Sequence, residues 1–218
     1  MFQKLEYKYG HLAIHNFNLY LATIYAIGLL IQIMNPIFYF QYLCLDTKAL
    51  FNGQIWRIFT FIFFPPSGFL RSNIDILLAA LIIYVYYNLT TILLQVWSDF
   101  KFNIYFFGGI IGHVLGGIIV SLITQNHMLI YPTYLTFSIF IAFALTFPET
   151  RFLLFFIIPI KAKYIAIVEL ALYAYMFIYS SLADRIALVM SLINVFFFLY
   201  FMYKDKLKYL FRRRNGRF

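Results

Sequence analysis

Charge is scarce in this chain. Only 11% of its 218 residues are Asp, Glu, Lys or Arg, against 64% hydrophobic and 22% aromatic. A soluble domain averages about 25% charged and about 45–50% apolar residues. No water-facing surface can be built from so little charge, so lipid must be the solvent, and one membrane domain fits the length. Cysteine is nearly absent as well. Cys44 stands alone, which excludes an internal disulfide and leaves no thiolate cluster for a metal. Histidine is missing after His127, so the C-terminal part of the chain lacks the commonest general base. A cleavable leader is also unexpected. Lys4 and Lys8 precede the first apolar stretch, but the bulky run 34–40 stands where a small-x-small site would be, and the stretch reads as a retained signal anchor.

What is abundant is apolar sequence in long runs. A span needs about 20 mostly apolar residues. Six stretches meet this at about 17–38, 74–96, 103–123, 129–147, 165–181 and 186–202. The expected fold is therefore an all-α polytopic membrane protein with six transmembrane helices. The apolar segment 152–160 is short and closed by Pro159, Lys161 and Lys163, which reads as interfacial or buried loop. The first connection, about 41–72, is much longer than the others. Within it, 51–64 is amphipathic and aromatic, as suits a structure lying in the outer interface.

The cations set the orientation. With both termini inside, Lys4, Lys8, Lys101, Arg151, Lys161, Lys163 and the tail cations face the cytoplasm, and only Lys48, Arg57, Arg71 and Arg185 face out. That asymmetry follows the positive-inside rule and favours an even number of spans. The net charge of +9 is concentrated at the end of the chain, in Lys204, Lys206, Lys208, Arg212, Arg213, Arg214 and Arg217. A basic stretch beside a span meets anionic headgroups. No motif supports nucleic acid as the partner. Residues 1–203 read as the transmembrane domain and 204–218 as a basic cytoplasmic tail.

Two segments carry a recognisable pattern. The first is Gly53-Gln54-Ile55-Trp56-Arg57-Ile58-Phe59-Thr60-Phe61. The second is Ala142-Phe143-Ala144-Leu145-Thr146-Phe147-Pro148, followed by Ile158-Pro159-Ile160-Lys161-Ala162-Lys163-Tyr164. The first resembles the Trp-Arg motif in the first loop of the rhomboid superfamily, which includes rhomboid proteases and derlins. The second is similar to the end of the fourth rhomboid helix and the loop after it in bacterial members. Six spans, both ends inside and a long first loop match the family core, so the resemblance covers nearly the whole chain.

The resemblance implies a Ser–His dyad, with serine in a Gly-x-Ser-Gly turn opening the fourth helix and histidine on the sixth. Aligning the helix ends puts Thr133 at the serine position, within Tyr131-Pro132-Thr133-Tyr134. Neither flanking glycine is there, and glycine is what gives such a turn its freedom and its room for an oxyanion. The sixth span, from Ile186 through Ser191 to Asn194, holds no histidine, lysine or carboxylate, and a hydroxyl without a base is a poor nucleophile. The histidine that the family places on the oxyanion side of the second span is missing too; Asn73 and Asn88 lie near that span's ends. The small residues Ser138, Ala142, Ala187 and Ser191 remain, spaced four apart as close helix packing in lipid requires. The expectation is a catalytically inactive pseudoprotease that binds transmembrane clients, without cofactor or metal, in a bacterial plasma membrane.

Other polar positions carry competing readings. Gly108, Gly112 and Gly116 form a small-residue ridge on the third span, with Gly109 and Gly117 beside it, and tight packing explains it. His113 within that ridge and Glu169 in the fifth span could form an intramembrane polar site for a proton or ion-coupled transporter. The plainer reading is a hydrogen-bonded histidine and a carboxylate reaching the inner interface near Lys163. An active endopeptidase would need Thr133 or Ser138 as nucleophile, the latter with His113 as base. His11 and His15, four apart, could share a metal but lack a third ligand. Asp75 is placed to pair with Arg71.

Overall fold

The computed structural model describes residues 2–70, 72–154 and 158–214. After α1 (Phe2–Tyr9) the first long helix, α2 (Phe17–Met34), follows Asn16, whose backbone is left-handed. It stops at Asn35, earlier than the expected span end. The Asn35 side chain accepts from the Ile37 and Phe38 N–H groups, and Pro36 starts the short turn α3 (Pro36–Phe38). Proline has no N–H to leave unpaired at that position, so the break is built into the residue types.

The long first connection is a stitched set of short elements. A π turn, Tyr39–Leu43, leads to β1 (Leu45–Asp46), α4 (Thr47–Phe51), α5 (Arg57–Thr60) and a 3-10 turn, Phe61–Phe63. Gly53, between α4 and α5, has φ of 89°, a conformation most side chains resist. Where the sequence suggested one amphipathic piece over 51–64, the backbone folds back on itself.

α6 (Asn73–Val96) opens with the Asp75 carboxylate accepting from the Ser72 N–H at 2.7 Å, a capping arrangement. The expected partner Arg71 lies outside the described residues. α7 (Asp99–Thr124) follows a tight corner at the buried Trp97. Next come β2 (Leu129–Ile130) and α8 (Thr133–Thr146). The predicted span 129–147 thus begins as a strand: Leu45 pairs with Ile130 and Asp46 with Leu129, antiparallel.

The segment read as loop is a hairpin, β3 (Arg151–Leu154) with β4 (Ile158–Lys161). α9 (Ala162–Tyr179) and α10 (Leu182–Arg214) complete the chain. α10 runs without a break across the boundary expected at 203/204, so the tail is helical as far as 214.

Among the described residues, α2, α6, α7 and α9 have the length and apolarity to cross a membrane. α8 is apolar but shorter and sits in the middle, touching α6, α7, α9 and α10. The closest pairings are α7 with α10, α2 with α6, and α8 with α10. Ser138, Ala142, Ala187 and Ser191 are all buried, and the helices that carry them, α8 and α10, pack together. Against α10, Gly116 is the tight member of the glycine ridge: an added Cβ would lie 2.9 Å from Ile186 Cγ2, whereas at Gly112 the nearest atom is 3.9 Å away. The tightest approach is elsewhere. A Cβ on Gly28 of α2 would overlap the Phe63 carbonyl oxygen.

Candidate functional site

Loop residues Trp56 and Arg57 have structural partners. Arg57 is 3% exposed. Its guanidinium donates to the carbonyls of Cys44 at 2.7 Å, Phe40 at 3.5 Å and Gln41, and to the side-chain oxygen of Gln54 at 2.7 Å. A rigid fork of donors suits this shell of carbonyls as a lysine would not. Trp56 is half-exposed and donates Nε1–H to the Tyr42 carbonyl at 3.1 Å. Cys44 lies beneath, fully buried, and burial pushes its thiol up to about 12 despite the nearby guanidinium. It is a neutral, unreactive thiol.

The same loop roofs the start of α8. Tyr131 packs its ring 5.6 Å from Phe64 and 6.2 Å from both Phe40 and Phe69. Thr133 is the first residue of α8, with Pro132 as its cap. No hydrogen bond joins its hydroxyl to a histidine, lysine or carboxylate among the described residues. On α10, the Ser191 hydroxyl turns back to the Leu188 carbonyl at 2.8 Å.

Ser138 is completely buried, accepts from the Tyr105 hydroxyl at 2.6 Å and donates to the Leu135 carbonyl at 2.6 Å. His113 Nδ1 bonds the Gly109 carbonyl at 2.8 Å, and its Nε2 is buried without a partner. Tyr105, the α7 residue at Ser138, is eight positions before His113, about 12 Å along a helix. The described structure contains no hydrogen bond between His113 and Ser138. His113 and Glu169 share none either. His15 bonds Asp99 at 2.7 Å, and no group of three His, Cys, Asp or Glu side chains is placed to hold a metal ion among the described residues.

Glu169 has a different setting from the one its neighbours in sequence suggest. Lys163 bonds Glu149 at 2.5 Å, and Lys161 bonds the same carboxylate at 2.7 Å. Those contacts hold the Glu149 carboxyl down to about 2. Glu169 stays at the centre of α9, where its Oε2 is buried with no hydrogen-bond partner. Around it are phenols: Tyr173 one turn on, Tyr86 from α6 and Tyr105 from α7, all within electrostatic reach of the carboxylate. The Tyr173 hydroxyl is likewise buried without a partner, and its ring lies 5.6 Å from Tyr134 and 6.3 Å from Phe137 of α8. Next to this group, Tyr25 of α2 bonds Thr136 at 3.0 Å.

The result is a buried polar centre with α8 in the middle and Glu169 as its carboxylate. Sequence reasoning identified Glu169 and Ser138 but missed the tyrosines. Tyr86, Tyr105 and Tyr173 belong to three helices, and among 19 tyrosines only their inward-facing phase could have marked them. No family model, curated protein or solved structure matches the chain.

Proposed function

We propose that this chain is a catalytically inactive, rhomboid-like integral membrane protein, a pseudoprotease that binds transmembrane segments of client proteins. The observation that carries the reading is at the head of α8. By the resemblance Thr133 stands at the nucleophile's position, and α10, which packs on α8, carries the buried Ala187 and Ser191 with no base between them. Losing the base while keeping tight α8–α10 packing is what a binding scaffold derived from a protease requires. The Arg57 carbonyl shell supports the likeness, because it gives the Trp-Arg motif a structural task that does not depend on catalysis. By the same reading both termini lie in the cytoplasm of a bacterial cell, and the basic end of α10 meets anionic lipid.

The test is fluorophosphonate labelling of the purified protein beside an active rhomboid protease, followed by binding of single-span peptides in nanodiscs. The reading expects no labelling and reversible peptide binding without cleavage. Peptide-bond cleavage that Thr133→Ala abolishes would overturn it.

A further inference from the structure

Glu169 is unusual in having no complement among the described residues. It lies near the middle of α9, about 11 Å from the Ala162 end and about 15 Å from the Tyr179 end at 1.5 Å per residue. At that depth an ionisable group normally faces a partner or a cavity. Lys163, the cation closest in sequence, is committed to Glu149. No Lys, Arg or His among the described residues acts on Glu169 electrostatically. Two buried polar atoms one helical turn apart, Glu169 Oε2 and the Tyr173 hydroxyl, are left without hydrogen bonds. Buried polar atoms are usually satisfied, so two neighbouring exceptions call for an explanation.

The arrangement of helices indicates where a complement would enter. α9 packs on α8 and α10, and α6 packs on α2, α7 and α8, but α6 and α9 are not a principal packing pair. Tyr86 reaches the centre from α6 and Glu169 from α9, so the polar atoms line the seam between those two helices. Exposed apolar side chains share this face on both helices, Leu172 and Met176 three and seven positions after Glu169 and Leu78 eight before Tyr86. An apolar helix can lie against such a face while one of its side chains reaches inward.

We propose that Glu169, with Tyr173 and Tyr86, is an intramembrane receptor site for a basic side chain, the Lys or Arg of a transmembrane helix docked at the α6–α9 seam. This deepens the client-binding reading and rests on it, naming the client class as spans with a cation near mid-membrane. The carboxylate supplies the opposite charge and the phenol oxygens accept the remaining N–H groups. The ring of Tyr173 adds a face that attracts cations. A free metal ion would find a single carboxylate here, which is too few ligands.

The experiment uses the full chain in nanodiscs and three single-span peptides of Leu and Ala that differ only at the central residue, which is Lys, Gln or Leu. Binding is read by fluorescence energy transfer. The Lys peptide is expected to bind about tenfold more tightly than the Leu peptide, a difference of about 1.4 kcal/mol, with Gln between them. Glu169→Gln should remove the preference, so that the Lys and Leu peptides bind alike, and Tyr173→Phe should reduce the preference in part. Glu169→Asp, which keeps the charge on a shorter arm, should retain some of it and serves if the Gln variant does not fold. Equal binding of all three peptides would overturn this proposal and leave the client-binding reading standing. A Lys preference that survives in Glu169→Gln would also overturn it. Failure of every peptide to bind would remove both.

Discussion

α7 and α9 are both long enough to cross a bilayer, yet 44% of the apolar window of α7 is buried within the protein and only 17% of that of α9. The two are held by different means. α7 meets α10 through glycines and takes a hydrogen bond from Asn194 Nδ2 to the Tyr105 carbonyl at 3.0 Å. α9 rests on the rings of Tyr134 and Phe137 and on the hairpin before it, where Lys161 and Lys163 share Glu149. In lipid, where apolar contact gives helices no preference for each other over acyl chains, close backbone approach is what fixes a neighbour. The small-residue side should therefore unfold as a unit, and α9 should move separately.

Substitutions can break or sharpen that contrast. The largest loss is expected from Gly28→Ala. The new methyl would overlap backbone at Phe63, which no side-chain rotation relieves, and about 3 kcal/mol should be lost, read as the denaturation midpoint in detergent. Arg57→Ala should follow at roughly 2–3 kcal/mol because it strands several loop carbonyls, and Arg57→Lys should recover only part. Gly117→Ala should cost about 1–2 kcal/mol, since its methyl would run into the flexible end of the Ile130 side chain.

Acid should loosen α9 without melting the rest. The Glu149 carboxyl is held at about 2, below its ordinary 4.5, by hydrogen bonds from Lys161 and Lys163. Its contribution is complete above about pH 4.5 and is lost as pH falls toward 2. Hydrogen exchange in the hairpin and first turn of α9 should rise over that window while exchange in α7 stays slow; equal acceleration in both helices would show them to be one unit. The smallest effect is expected from Gly112→Ala. Its neighbours leave ordinary van der Waals room, so any loss should stay within about 0.5 kcal/mol and be offset by the helix propensity of alanine.

Much of this architecture is legible in the residues. Run length located the long apolar segments, because a bilayer sets a minimum that periodicity need not supply. Asn35-Pro36 signalled the end of α2, though the apolar residues after it hid the signal. The hairpin at 151–161 escaped because an apolar run reads alike as strand, buried loop or helix. The polar centre was legible only at Glu169, where a carboxylate interrupts an apolar helix. The partner of Ser138 could not be read, since whether Tyr105 or His113 meets it depends on how α7 is turned toward α8. Lys163 looked like the natural companion of Glu169, but the loop folds Glu149 back to it from 14 residues away.

The shortness of α8 has a further consequence. Its 14 residues reach about 21 Å, well under the roughly 30 Å of a hydrocarbon core. Set in a bilayer, so short a helix would leave the chain leading into it as non-helical backbone below the headgroup plane, where no water is at hand to satisfy amides. The two-residue ladder of β1 and β2 and the guanidinium of Arg57 provide that satisfaction from within the protein. The first loop thus acts as an internal substitute for solvent, and opening it would bring water, not lipid, to the end of the central helix.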